Sequence, residues 1–146
     1  MTRFDRRSVI AGLGLAGLAP ALASPAAAED MLKLRELYDA NQDFSALAKE
    51  LEGSTVTVEG FMAPPLKADI EFFVLTKRPM SVCPFCETEA EWPDDILAVY
   101  TRRGFDVVPF NRGIEVTGEL SLGPRRHEDT GFLSMVRIEN ARFRYG

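Results

Sequence analysis

Two cysteines are the residues of this chain whose spacing best suits chemistry. Cys83 and Cys86 lie three positions apart in the sequence Cys-Pro-Phe-Cys, and the chain has no other cysteine. Two thiolates at this spacing can bind one soft metal ion, zinc or copper(I), from a tight turn. A tetrahedral site needs two more ligands, which His127, the acidic residues after Cys86 or a second copy of the chain would supply. The pattern therefore predicts a metal site formed by Cys83, Cys86 and His127.

The same cysteines are compatible with two other roles. Cys-Pro-Phe-Cys is locally similar to the glutaredoxin active site, in which a helix N-terminus lowers the pKa of the attacking thiol. Only 26 positions separate Cys83 from Pro109, too few for the elements of that fold, so thiol–disulfide exchange would use another scaffold. A disulfide or a pair of buried thiols that fixes a loop is the other alternative. Haem attachment is excluded, because Glu87 stands where the histidine of that motif must be.

Other polar and aromatic residues near these cysteines have two interpretations each. His127, the only histidine, lies in the polar stretch 125–129, which predicts the tip of a hairpin. A lone histidine there is typically solvated, and metal ligation is the alternative. The acidic run 87–95 favours a solvated turn over a set of oxygen ligands. Trp92 is predicted to pack beside Phe85 over the mouth of a barrel, and an aromatic lid over a ligand pocket is the alternative.

The remainder of the sequence contains no catalytic signature. No Gly-x-Ser-x-Gly motif is present, and one histidine would have to serve any triad. No glycine-rich phosphate loop follows a predicted strand. A binding protein is therefore favoured over an enzyme.

The first 28 residues have the three parts of an export signal. Arginines within residues 3–7 precede an apolar, glycine-rich run over residues 9–23, and three alanines follow at 26–28. The stretch Arg-Arg-Ser-Val-Ile at 6–10 resembles the twin-arginine export motif. The apolar run is too short and too rich in glycine for a membrane span. We therefore predict a periplasmic protein, exported by the twin-arginine route, with no stable membrane span after signal cleavage.

Charge and length narrow the class of protein further. The chain of 146 residues has 17 Lys+Arg against 22 Asp+Glu, a net charge of −5. Removing residues 1–28 takes away three arginines and one aspartate, which leaves 14 against 21 and a net charge of −7. Phosphate backbones need a basic face, so this balance argues against a nucleic-acid partner. The length suits one domain with its own core.

The hydrophobic pattern predicts a short helical segment followed by strands. Apolar residues between Leu32 and Leu51 recur at helical spacing, and Gly53 ends that pattern. Beyond it the period changes to two, which predicts five strands at 56–62, 70–75, 96–101, 114–122 and 132–145. The segment 102–112 contains Gly104 and Pro109 and is too broken for a helix.

Two of these strands resemble each other in a way that indicates a small barrel. Residues 56–62 and 114–120 share their apolar alternation and a glycine at the same position, Gly60 and Gly118. Glycine within a strand marks a bulge or a sharp bend. Five strands with these glycines resemble an OB-fold. We predict a mainly β protein in which residues 29–53 form the N-terminal helical segment and 54–146 a five-stranded OB-like barrel.

Three segments together resemble a family of uncharacterised, exported bacterial proteins. They are the Gly-Phe-Met-x-Pro turn at 60–64, the hydrophobic strand at 72–75 and the cysteine loop at 83–86 with Trp92-Pro93. The resemblance implies an OB-type barrel and an accessory or binding role beside ABC transporters of the efflux type, with a link to metal homeostasis. It thus implies envelope transporter components as partners, and a homodimer would let two chains share a four-cysteine site.

Overall fold

Strands dominate the part of the chain that the structure, a computed structural model, describes: residues 31–65, 67–81 and 96–146. The sequence-predicted mainly β class is confirmed. The described elements are β1 (Met31–Leu32), a 3-10 turn (Leu34–Leu37), α1 (Ala46–Leu51), β2 (Thr55–Met62), β3 (Phe72–Thr76), β4 (Ile96–Thr101), β5 (Gly113–Arg126) and β6 (Leu133–Tyr145). Within these ranges no helix is long and apolar enough to cross a membrane.

The segment before β2 folds as a 3-10 turn and a single short helix. Ser45 caps α1, because its Oγ accepts a hydrogen bond from the N–H of Ala48 at 3.0 Å. Gly53 takes a positive φ of 79° just after the helix, a conformation that favours glycine. Leu34 and Leu37 on the 3-10 turn are buried against the main core. The two residues of β1 pair in parallel with β2, a contact that the helical pattern does not predict.

The longer strands of the described residues pair in a ring. β2 pairs with β3, β3 with β4 and β5 with β6, all antiparallel, and β4 runs parallel to β6. The ring returns to its start because β5 also pairs with β2, over Thr55–Phe61. This ring of pairings holds the loops between the strands at defined places.

Both faces of β3 and β4 are buried. Phe73 and Leu75 of β3 join Leu97 and Val99 of β4 in the main core, with side chains from β2, β5 and β6. The alternate residues form a second cluster on the opposite face of the two strands: Ala63, Ile70, Phe72, Val74, Ile96, Ala98, Tyr100 and Phe132. Burial on two faces explains why these strands read as continuous apolar runs rather than as alternating ones.

The two strand glycines allow neighbouring backbones to approach closely. A Cβ at Gly60 would lie 2.8 Å from the carbonyl oxygen of Thr76, and one at Gly118 would lie 2.6 Å from that of Glu139. The register between β5 and β6 shifts at Gly118, between Thr117 and Glu119. The expected irregularity at Gly118 is therefore confirmed. The segment 102–112 also contains no helix, as predicted.

Candidate functional site

The predicted metal ligands fall on two connections of the sheet. Cys83, Cys86 and the acidic run after them, with Trp92, lie outside the described residues, as does the predicted signal at 1–28. The cysteines belong to the chain segment that joins β3 to β4, whose facing ends pair at Thr76 and Ile96. His127 is described, and it begins the loop between β5 and β6. Its surroundings are therefore what the structure adds to the candidate site.

The loop from His127 to Phe132 closes a tight hairpin. The N–H of His127 donates to the carbonyl oxygen of Phe132 at 2.8 Å, and the N–H of Gly131 donates to the carbonyl oxygen of His127 at 2.8 Å. Gly131 has a φ of 72°, which a side chain would disfavour. Arg126 donates from Nη1 to the carbonyl oxygen of Gly131 at 2.6 Å. Several hydrogen bonds therefore fix the backbone that carries the imidazole.

The imidazole of His127 packs on the aromatic face of β3 and β4. Its ring centroid lies 4.9 Å from that of Phe72 and 6.2 Å from that of Tyr100. Phe132 stacks on Phe72 from the other end of the same loop, at 5.2 Å. The hairpin folds onto the second hydrophobic cluster and leaves His127 only partly exposed, a packing that its polar sequence does not indicate.

Hydrogen bonding distinguishes the two ring nitrogens of His127. Nδ1 lies 3.2 Å from the Oγ1 of Thr130 in the same loop. Nε2 has no hydrogen-bond partner among the residues that the structure describes. In metal sites the nitrogen that does not bind the ion is usually held by such a partner, which fixes the orientation of the ring. The loop therefore orients His127 so that Nε2 is available to bind a metal ion.

Charged side chains border this aromatic face. The guanidinium carbon of Arg125 lies 4.8 Å from the ring centroid of Tyr100, and the same side chain forms an ion pair with Glu139. Burial raises the pKa of the Tyr100 phenol above its usual value, and the positive charge of Arg125 offsets part of that rise. The phenol therefore stays neutral, and its buried hydroxyl, although close to the side chain of Ser134, forms no well-aligned hydrogen bond with a described residue.

Replacing Tyr100 by Phe is expected to keep the free energy of unfolding at pH 7 or raise it by up to about 1 kcal/mol. The variant keeps the ring stack on Phe72, 5.1 Å away, and removes a buried polar atom. Since the folded-state pKa is raised, the wild type loses stability as the pH rises past about 10, and Tyr100→Phe lacks this loss. Urea unfolding at neutral and alkaline pH measures both effects. A loss above about 1 kcal/mol at pH 7 would show that the hydroxyl is stabilising.

The described residues do not complete a metal site by themselves. No group of three or more His, Cys, Asp or Glu side chains within 31–65, 67–81 and 96–146 could hold an ion. The set of Cys83, Cys86 and His127 therefore stays a prediction. The sequence pattern found the hairpin of His127 but missed its aromatic support, because Phe72, Tyr100 and Phe132 read only as strand residues.

Comparison with known proteins found a likeness among solved structures. No protein-family model matches the chain, and no curated protein matches its sequence. A solved structure of a DUF3299 family protein from Pseudomonas aeruginosa PAO1 is similar, with a TM-score of 0.47 and 14% sequence identity. The similarity covers 77% of this chain and 92% of that one.

Proposed function

We propose that this chain is an exported periplasmic binding or accessory protein with a soft-metal site. Cys83 and Cys86 supply two thiolates to zinc or copper, and His127 supplies the imidazole. The observation that carries the proposal is the hairpin that holds His127 on β3 and β4, with Nδ1 engaged by Thr130 and Nε2 without a described partner. These are also the two strands that the cysteine segment joins.

The length of the cysteine segment is compatible with this ligand set. Cys83 follows the last residue of β3, Thr76, by seven positions, which span at most about 25 Å when extended. The ring of His127 lies against Phe72, four positions earlier on the same strand, or about 13 Å along it. The length of the segment therefore allows a thiol to meet the imidazole.

Ligand chemistry favours a soft ion. Thiolate and neutral imidazole together are the usual protein ligands of zinc, and thiolates also select copper(I). Three ligands leave one position of a tetrahedral ion open, for solvent, for an acidic residue or for a second chain in a homodimer. An open position suits a protein that passes its ion to an envelope transporter, the partner that the family resemblance implies.

The five-stranded ring, with its parallel β4–β6 pair, supports the OB-like description of the scaffold.

The variant Cys83→Ser/Cys86→Ser is expected to lose stoichiometric binding of zinc and copper(I), because serine replaces both thiolates with weak ligands. Competition with a chromogenic chelator measures the affinity. His127→Phe keeps an aromatic ring on Phe72 and removes the donor, so it should lower the affinity more than Thr130→Val does. Thr130→Val removes the partner of Nδ1 and an acceptor for the N–H of Phe132 but keeps the imidazole, and we expect it to lower the affinity about tenfold.

Unchanged affinity in the double-serine variant would contradict the metal site. The redox state of the two cysteines would then separate the alternatives. A reduction potential in the range of exchange catalysts, with turnover of a disulfide substrate, would indicate thiol–disulfide exchange. A stable disulfide without turnover would indicate a structural interaction module.

A further inference from the structure

An arginine-rich cleft lies where β4 ends beside the last residues of β6. Its volume is about 810 Å³, in the range of ligand sites. We call it the arginine cleft. Its walls include Arg102, Arg103, Phe105, Arg142, Arg144 and Tyr145. His127 is not among the described lining residues, and neither are Phe72 and Tyr100, on which it packs, so the cleft is distinct from the described part of the proposed metal site.

The cleft is positive although the chain is negative. Asp106 is the only acidic residue among its described lining residues, and the whole chain has a net charge of −5. The side chains of Arg103 and Arg142 form no hydrogen bond or ion pair with any described residue. Arg102 uses only Nε, which donates to the Oδ1 of Asn140 at 3.3 Å. These guanidinium groups therefore retain most of their donors for a ligand.

One wall of the cleft is also an open strand edge. Strand β6 pairs with β4 only as far as Ala141, but it continues to Tyr145 along β5. The N–H of Gly146 donates to the carbonyl oxygen of Gly113 at 3.1 Å, which sets the alternation of the antiparallel pair. By that alternation the backbone N–H and C=O groups of Phe143 and Tyr145 point away from β5. They have no backbone partner among the described residues on that side.

We infer that the arginine cleft binds an extended acidic peptide segment of a partner protein. The peptide backbone would pair with the edge of β6 at Phe143 and Tyr145, as in strand addition. Its carboxylates would lie against Arg103 and Arg142, whose planar guanidinium groups match carboxylate geometry. Charged side chains at an edge repel most strands, but a partner of opposite charge removes that repulsion. The strand edge thus binds the peptide backbone, and the arginines select peptides with acidic side chains.

A fluorescently labelled hexapeptide of alternating Glu and Val tests this inference with the protein purified after expression of the full chain. Anisotropy should show saturable binding that weakens with salt and is absent for the matching Lys-Val peptide. Arg103→Gln and Arg142→Gln should each weaken binding about tenfold, the effect of losing one charge-assisted hydrogen bond. Arg35→Gln is the matched control, because Arg35 is exposed on the 3-10 turn and its side chain has no described partner.

A peptide with N-methyl groups on alternate residues separates strand addition from simple charge attraction. Such a peptide keeps its carboxylates but loses backbone donors. Strand addition therefore predicts that tight binding is eliminated once both alternate sets of residues are N-methylated. Equal binding by N-methylated and unmodified peptides would overturn the inference and leave a site for small anions, which inorganic phosphate would then compete for. Absence of binding, or equal losses in Arg35→Gln and Arg142→Gln, would overturn it as well.

Discussion

Replacing Gly118 by Ala is expected to lower the free energy of unfolding by about 3 kcal/mol, near the upper end for overpacking. A Cβ at this position would lie 2.5 Å from Cγ2 of Ile138, 2.6 Å from the carbonyl oxygen of Glu139 and 3.1 Å from Cα of Ala141. Two of these atoms belong to the backbone of β6, which is paired on both sides and cannot move freely. The contact between β5 and β6 would have to open, and urea unfolding followed by circular dichroism measures the loss.

Gly113→Ala is the matched control for that experiment. Gly113 lies at the start of the same strand, and a Cβ there would meet no atom within 4 Å. Alanine should therefore be neutral or stabilising, by up to about 1 kcal/mol, because it restricts the unfolded chain. Equal unfolding midpoints for the two variants would show that close approach at Gly118 does not constrain the fold.

Replacing Arg137 by Met is expected to cost about 3 kcal/mol of folding stability. Arg137 lies in β6 and is only 5% exposed. Nη1 donates to the carbonyl oxygen of Gly123 at 2.7 Å, Nη2 donates to the Oγ of Ser121 at 3.0 Å, and Nε lies 3.4 Å from the Oε1 of Glu139. Methionine fills much of the space but leaves these acceptors unpaired. A buried acceptor without a hydrogen bond lowers the free energy of unfolding.

Arg144→Met gives the matched control on the same strand. Its Nε donates to the Oε2 of Glu115 at 2.6 Å, but the Arg144 side chain is 79% exposed, so solvent screens the pair. We expect a loss below about 1 kcal/mol. Thermal or urea unfolding compares the two variants, and a loss for Arg137→Met no larger than for Arg144→Met would contradict the structural role of Arg137.

The strand pattern was predictable from the sequence because the alternation of apolar and polar residues, and the glycines between the strands, are local signals. The strand predicted at 96–101 has the bounds of β4. The prediction for the next strand ended too early, at Leu122, because Gly123-Pro124 usually marks a turn. In the structure β5 continues to Arg126, with a φ of 99° at Gly123 and a register shift between Leu122 and Arg125. Pairing with β6 thus outweighs the local preference of Gly123-Pro124 for a turn.

The surroundings of the candidate site were less predictable, since they depend on contacts between distant residues. The hairpin of His127 follows from its polar sequence, but its packing on Phe72 requires the fold of the whole sheet. Arg137 is typical of a surface residue in the sequence, yet β5 and β6 place acceptors around its guanidinium group. The open edge at Tyr145 exists only because β4 stops at Thr101 while β6 continues. None of these relations is encoded in a short pattern.

Native mass spectrometry of the protein purified from the periplasm, without chelator or added reductant, tests the proposed metal site most directly. We expect one zinc or copper ion per chain, or per pair of chains in a homodimer, and no bound metal in Cys83→Ser/Cys86→Ser. A metal-free chain about two daltons below its reduced mass would contradict it, because Cys83 and Cys86 would then be joined to each other.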